Sequence, residues 1–277
     1  MVTVLHIIER LTLGGASRSL LAVSKYSARS GKFEHRVLSL LPPVPEALKL
    51  AEESSVPLVN ATDCDAVHRE IESADIVHIN WWNAPCIQTL LHSELPAMRL
   101  LNWYHVSGDG SPQIITPEMV ALADWNIPTN PATCNDVPVF RDRPRLPEDP
   151  EATMIYDPAD FDRLKGLKRR RHKGFNVGYI GTVDFYKMHP NFVPMSAEVQ
   201  IPDVKFLVCG GGIQERLKQQ ATQLGASERF EFLGYVQDIR EVISVLDVYG
   251  YPLCEGTYAS GELNLQEVMY AGIPPVV

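Results

Sequence analysis

Two glycine turns mark places where a backbone can come close to a ligand. Leu13-Gly14-Gly15-Ala16-Ser17-Arg18 follows an apolar run and opens a helical pattern, and Cys209-Gly210-Gly211-Gly212 does the same in the second half. Glycine lets the chain bend sharply, and a helix start offers unpaired N–H groups with partial positive charge. A phosphate or a sugar oxygen suits such a spot. Each turn by itself can equally be a strand–helix connection that uses glycine for geometry; a pair, one in each half, is more informative. Neither turn is G-x-G-x-x-G, and no acidic residue is placed to hold a ribose. A dinucleotide site, and with it a dehydrogenase, is therefore disfavoured.

The titratable residues near predicted strand ends come next. His105 closes Leu-Leu-Asn-Trp-Tyr-His, at the carboxyl end of a strand, where parallel sheets bind ligands. The other reading is a core histidine with both ring nitrogens satisfied. His6 and His78 lie inside strands and read as structural. Lys187 ends Gly-Thr-Val-Asp-Phe-Tyr-Lys just before a helix. Its ammonium can neutralise a diphosphate, or it is a surface lysine. Glu262 and Glu267 are five apart on a predicted helix and do not share a face, so they do not pair as general acid and base. Glu262 is placed among the free N–H groups of the helix start. Glu267, beside Leu265 and Val268, can accept two hydroxyl hydrogen bonds, or is an ordinary exposed helix glutamate. Trp81, Trp82, Trp103 and Tyr104 cluster near strand ends, to stack on a carbohydrate or to fill the core.

The elements that must position these residues alternate in type. VTVLHII, HRVLSLL, PLVNA, DIVHINWW, MRLLNWYHV, WNIPTNP and ATMIYD read as strands with helical patterns between them. After residue 174 the rhythm restarts with FNVGYIG, VKFLVCGGG, RFEFLGY, VYGYPL and IPPVV, and HPNFVPMSAEVQ reads as a helix. Strand and helix in alternation imply parallel sheets covered on both faces. The expected architecture is α/β: two Rossmann-like domains, 1–164 and 165–277, facing a cleft. Between them runs PADFDRLKGLKRRRHKG, with six basic residues at 168–173. This is a solvated linker, or a contact for anionic headgroups or an acceptor phosphate.

Composition narrows the function classes. The 277 residues are 45% apolar and 21% charged, with net charge −9, which argues against a nucleic-acid partner. Five dispersed cysteines form no CxxC pair, the usage of a reducing compartment without a disulfide frame or zinc site. The start, MVTVLHIIERL, is interrupted by His6, Glu9 and Arg10 and reads as a strand, not a signal peptide. No run approaches the roughly 18 apolar residues of a membrane span. Asn60-Ala61-Thr62 matches a glycosylation acceptor by chance. A cytoplasmic location follows, with the basic run allowing peripheral contact at the inner face of the membrane.

With these residues placed, the chain resembles the GT-B glycosyltransferases of family 4, the retaining group that uses nucleotide sugars, along nearly its whole length. Gly14-Gly15-Ala16-Ser17-Arg18 looks like the family's GGAER-type loop, and Leu101 to His105 like the strand ending in its active-site histidine. Met154 to Phe161 is similar to "IYNGVD", and Val177 to Lys187 to "GRL…K". Val204 to Gly212 is similar to "LVIVGxG", and Phe232 to Val236 to "FLGxV". Pro252 to Val277 resembles "PSxxEGFGxxxLEAMAxGxPVV". The resemblance implies transfer of a hexose from a UDP- or GDP-linked sugar to a saccharide or lipid-linked acceptor, without a metal. It implies Glu267 on the donor ribose, Lys187 on the diphosphate and His105 near the transferred sugar. Gly14 and Gly15 would lie by the donor phosphate or acceptor, Thr182 and Gly211 by the donor, and backbone around Val236 by the base. No Asp-x-Asp pair is placed at a strand end, consistent with cationic side chains in place of a metal.

Three departures qualify the resemblance. Thr182 stands where the family has an arginine. Ala259 stands eight residues before Glu267, so the E-x7-E spacing fails; Glu262, in Tyr-Ala-Ser-Gly-Glu, takes the first glutamate's place. The sequence stops at IPPVV, where the family fold continues, so a C-terminally truncated second domain is expected. These departures keep open a second hypothesis, a nucleotide-sugar-binding protein on a catalytically degenerate frame or an inactive fragment.

Overall fold

A computed structural model describes residues 1–61, 63–111, 113–142 and 154–277. Thr62 of the acceptor tripeptide, and Ala152 and Thr153 of the ATMIYD segment, lie outside the described residues. The chain forms two compact units. One comprises Met1–Asp160 with Ala259–Gly261, the other Phe161–Tyr258 with Glu262–Val277.

The first unit runs β1 (Val2–Ile8), α1 (Gly15–Ala28), β2 (Phe33–Ser39), α2 (Pro45–Glu53), β3 (Leu58–Val59), α3 (Cys64–Glu72) and β4 (Ile76–Asn80). It continues with α4 (Pro85–Leu91), β5 (Leu100–Tyr104), α5 (Pro117–Leu122), β6 (Trp125–Pro128), α6 (Pro131–Asp136) and α7 (Pro138–Arg141). Its six parallel strands are ordered β3-β2-β1-β4-β5-β6. The order reverses between β1 and β4, because the chain winds one way through β2 and β3 and then returns to the other side. Such a reversal leaves a crevice at the carboxyl ends of the two strands, since their crossover helices lie on opposite faces. Leu5 and Ile7 of β1 and Val77 and Ile79 of β4 are buried, as a strand covered on both faces requires.

The second unit opens on a 3₁₀ turn (Phe161–Leu164), followed by β7 (Phe175–Ile180), α8 (Phe192–Ala197), β8 (Val204–Cys209), α9 (Gln214–Gln223) and β9 (Phe230–Gly234). Then come α10 (Arg240–Ile243), β10 (Val248–Gly250), α11 (Leu263–Tyr270) and β11 (Pro275–Val276). The five parallel strands are ordered β11-β10-β7-β8-β9, and the reversal falls between β7 and β10. Tyr179, Tyr249 and Tyr251 are buried below this point, with ring centroids 5.1 and 5.2 Å apart along the stack.

Three local expectations are corrected. Met154–Asp157, the described part of ATMIYD, is no strand. One backbone bond, Ile155 N–H to the Pro128 carbonyl at 3.0 Å, links it to β6; Pro158, lacking an N–H, cannot extend a ladder. The helix expected over HPNFVPMSAEVQ is confined to Phe192–Ala197. Helices α6 and α7 add to the expected elements, and each starts on a proline, whose missing donor is harmless in a first turn. Among the described residues no helix is long and apolar enough to cross a membrane.

The basic run is partly committed to the second unit. Arg170 donates from Nε to Ser244 Oγ at 2.9 Å and from a terminal nitrogen to the Glu241 carbonyl at 2.8 Å. Arg169 and His172 reach Asp247 at 3.6 and 3.4 Å. Lys168, Arg171 and Lys173 are exposed.

Candidate functional site

The carboxyl edge of the second sheet carries a cluster of charged and phenolic groups. Strand β7 ends at Ile180 and β10 at Gly250, so the segments leaving them meet at the reversal point. Lys187 comes from the first segment, and Tyr251 leads the second. Lys187 Nζ lies 3.0 Å from Glu262 Oε2, with both side chains 13% exposed. The Tyr251 hydroxyl donates to the same Glu262 oxygen. Burial and the neighbouring Glu262 carboxylate push the Tyr251 phenol far above its ordinary range, so it stays a donor. Lys187 is therefore not a surface lysine. Glu262 is the N-cap of α11, yet its side chain makes no capping bond. Its carboxylate, expected among free N–H groups, turns instead to Lys187 and Tyr251, because a cation and a phenol outcompete exposed amides. Nothing in the sequence singles out Tyr251; a tyrosine at the end of an apolar run gives no signal beyond core packing.

The glycine turns separate by what a side chain would meet. A Cβ on Gly210 would stand 1.7 Å from the Gly181 carbonyl oxygen, and one on Gly212 2.1 Å from that of Val183. These two glycines let the β8 turn lie against the 181–183 turn, which is sealed by Val183 N–H to Gly211 O at 2.9 Å and Ile213 N–H to Val183 O at 2.8 Å. A Cβ on Gly211 would meet no atom within 4 Å. Packing thus accounts for its neighbours and leaves Gly211 as the one whose bareness faces open space. Thr182 is exposed; its carbonyl accepts from Tyr179 Oη at 2.8 Å and its side chain bonds Tyr258. Val236 is half-buried, and its backbone engages the Cys209 sulfur.

Glu267 sits on the same helix as Glu262 but away from Lys187's partners. It is 3% exposed, and Oε1 lies 3.2 Å from Arg163 Nη1 of the 3₁₀ turn. The alternative of an exposed helix glutamate is excluded. Arg163 falls in the segment expected to be a linker; nothing local to PADFDRLKG marks it as the partner of a residue so far along the chain.

In the first unit, Gly14 precedes α1 and Gly15 is its first residue, and both are exposed. Gly14 is the helix N-cap and supplies no side-chain cap. The turn is held from within: Thr12 N–H donates to Ser17 Oγ at 3.0 Å, Gly14 N–H to Thr12 Oγ1 at 3.1 Å and Arg18 Nε to Leu13 O at 2.8 Å. A Cβ on Gly15 would meet nothing. His105, one residue past β5, is 7% exposed. Its Nδ1 is 2.6 Å from Asp157 Oδ1, which also accepts from Ser19 Oγ at 2.8 Å, and its Nε2 is 3.2 Å from Asn80 Oδ1. Both ring nitrogens thus have oxygen partners, the arrangement of a held histidine whose orientation is fixed. Asp157 lies in the IYD segment, but its pairing with His105, 52 residues away, has no local signal. Gly261 packs on this aspartate, since a Cβ there would come within 2.5 Å of Asp157 Cβ.

His6 and His78, read as structural, are buried, and the His6 ring lies between those of His35 and His78, with centroids 5.2 and 4.8 Å away. His6 Nε2 is 2.9 Å from His35 Nδ1 and 3.2 Å from Ser24 Oγ. Burial holds His6 well below the ordinary imidazole range, and burial with nearby His105 and His35 lowers His78 to about 3. Among the described residues no group of three or more His, Cys, Asp or Glu is arranged to hold a metal ion.

Residues 160–277 match the family model described as Glycosyl transferases group 1. The whole fold resembles solved structures at low identity. Anabaena Alr3699/HepE in complex with UDP-glucose has a TM-score of 0.75 at 19% identity, covering 99% of this chain and 80% of that one. The lipopolysaccharide outer core galactosyltransferase WaaB in its apo form gives 0.61 at 15%, covering 99% and 80%. WaaG, a glycosyltransferase involved in lipopolysaccharide biosynthesis, gives 0.58 at 14%, covering 98% and 80%. No curated protein matches the chain by sequence. The fold class expected from the sequence, two Rossmann-like α/β units of the GT-B type, is the one shared with these structures.

Proposed function

We propose that the chain is a family 4 glycosyltransferase that moves a hexose from a UDP- or GDP-linked donor to a saccharide or lipid-linked acceptor with retention of anomeric configuration. The observation that carries this is the Lys187–Glu262–Tyr251 cluster, built at the reversal point of the sheet in the region that matches the glycosyltransferase model. Cleaving a sugar–diphosphate bond leaves negative charge on the phosphates, and a fixed cation in a largely water-excluded site stabilises it most. Glu262 and Tyr251 hold Lys187 in one orientation, so little reorganisation is needed as charge develops. Gly211 admits the diphosphate to backbone N–H groups, and backbone near Val236 reads the base. Glu267, its charge balanced by Arg163, takes the ribose hydroxyls. The first unit binds the acceptor, with His105 fixed by Asp157 beside the transferred sugar. Lys187 supplies the charge a metal would otherwise bring, so no metal or other cofactor is assigned. The protein acts in the cytoplasm, with peripheral membrane contact where the acceptor is lipid-linked, and has no nucleic-acid partner.

Titration calorimetry with UDP, GDP and uridine tests the donor half. One diphosphate should bind in the micromolar to millimolar range typical of substrates, and uridine much more weakly. Lys187→Ala should bring the diphosphate down toward uridine. Equal affinity for UDP and uridine in the parent chain would refute the Lys187 assignment. A second reading, nucleotide-sugar binding without turnover, is favoured by Thr182 standing where a second cation is expected. Donor binding with no release of UDP in the presence of acceptors would select it.

A further inference from the structure

We infer that Glu9 and Trp81 form a saccharide subsite in the first unit, where an aromatic face and an anchored carboxylate receive a hexopyranose of the acceptor. The inference deepens the acceptor role proposed above and rests on it. Three independent features lead to it.

The first is position. Ile8 and Asn80 are paired across β1 and β4, the two strands at which the sheet order reverses. Glu9 and Trp81 are therefore the residues that follow the last paired rung, at the carboxyl ends of adjacent strands. Asn80, next to Trp81, contacts His105 Nε2 at 3.2 Å, so the pair adjoins the histidine already in the site.

The second is the state of the aromatic residues. Of the four aromatics at these strand ends, Trp82, Trp103 and Tyr104 are buried in the core at 2%, 3% and 0% exposure. Trp81 is only half-buried. Its backbone has φ of +65°, a left-handed conformation that is an outlier for a bulky residue. A cost of this kind persists where surrounding structure fixes a side chain for use; the ring contacts Trp82, centroids 6.5 Å apart, and is otherwise less enclosed than its three neighbours.

The third is the carboxylate. Glu9 is half-buried, and Oε1 accepts from the backbone N–H of Cys86 at 2.9 Å in the first turn of α4. One oxygen is thus anchored at the edge of the sheet. A pyranose ring offers C–H bonds on one face and hydroxyl donors at its rim. A tryptophan face takes the first and a fixed carboxylate the second.

The test uses the whole chain and three probes, the methyl glycosides of glucose, galactose and mannose, followed by saturation-transfer NMR titration. The variants are Trp81→Gly, Trp81→Phe and Glu9→Gln. Trp81→Gly removes the ring while suiting the left-handed backbone, and urea unfolding of each variant beside the parent chain separates loss of binding from loss of fold. At least one glycoside should bind the parent chain. Trp81→Gly should weaken it about tenfold, the loss of an aromatic contact, while Trp81→Phe retains most of the affinity and Glu9→Gln is intermediate. No saturation transfer to any of the three from the parent chain, or equal affinity in Trp81→Gly, overturns the subsite. UDP affinity, measured on the same samples, reports the donor reading separately and should be the same in all four proteins. Its loss in Trp81→Gly would place the ring on the donor side and overturn the acceptor assignment.

Discussion

Replacing His78 with Phe should remove a defined part of the protein's acid sensitivity. His78 lies on β4 with its ring 4.8 Å from that of His6 and 5.6 Å from that of Trp103. Its Nε2 is buried with no hydrogen-bond partner among the described residues. Burial and two neighbouring histidines lower it to about 3, against about 6.5 in an unfolded chain. The sign follows from proton counts. Between these values the folded state keeps the ring neutral while the unfolded chain protonates it, so stability is complete above about pH 6.5 and falls as pH is lowered. At pH 5 the loss from this ring is about 2 kcal/mol, and His6, lowered chiefly by burial, adds a loss of the same sign. Carboxylates titrate chiefly below this window, which isolates the imidazoles. Phenylalanine keeps the ring contacts and removes the unsatisfied nitrogen. The assay is urea unfolding at about pH 7 and pH 5, followed by tryptophan fluorescence. All four tryptophans, Trp81, Trp82, Trp103 and Trp125, lie in the first unit with these histidines. His78→Phe should lose about 2 kcal/mol less than the parent over that interval. An identical loss in both proteins would refute the premise that His78 is held neutral.

Under the proposed function, Lys187→Ala should lower kcat by about 10²-fold or more, the cost of one lost charge-stabilising donor; unchanged turnover would remove Lys187 from the proposed mechanism. Gly210→Ala, which drives a methyl into the Gly181 carbonyl, should destabilise the second unit by about 3 kcal/mol in urea unfolding. Gly211→Ala should leave thermal stability within about 0.5 kcal/mol yet weaken nucleotide binding measured by calorimetry. Tyr179, Tyr249 and Tyr251 are all pushed above the ordinary phenol range, first by burial. Their unfolded forms ionise first, so stability should fall as pH rises past about 10, by about 3 kcal/mol between about pH 10 and pH 11 for the three together. If Lys187 carries the leaving-group charge as proposed, treatment with EDTA should leave turnover unchanged.

The α/β rhythm is legible because strands buried on both faces read as unbroken apolar runs, as VTVLHII and VKFLVC do. Glycine turns and the strand-end histidine can be placed for the same reason: they follow those runs. What escapes is set by distance along the chain. Lys187 and Glu262 each stand out as candidates, but their ion pair joins distant segments, and neither local pattern carries it. Glu267 is open to reading as an exposed helix residue because polar and apolar side chains alternate around it; only Arg163, inside an apparent linker, explains how a carboxylate is buried there. Apolar IYD resembles a strand in composition, while its actual work is to seat Asp157 under His105. Helices α6 and α7 are hidden by their prolines, which mark helix starts at the first helical position and breaks everywhere else.

The basic run gains a different meaning from its contacts. Six consecutive basic residues suggest a diffuse positive patch, but their value to an external anion depends on how many are unspent. Arg170 closes the carboxyl end of α10 by binding the Glu241 carbonyl and Ser244, and Arg169 and His172 answer Asp247. Three exposed side chains, Lys168, Arg171 and Lys173, are left to act outward. At about 1 kcal/mol per cation near an anionic bilayer, they supply about 3 kcal/mol of attraction, a partition bias of about two orders of magnitude that ordinary salt erodes. The segment is thus a splint for the second unit that leaves only a weak and reversible handle.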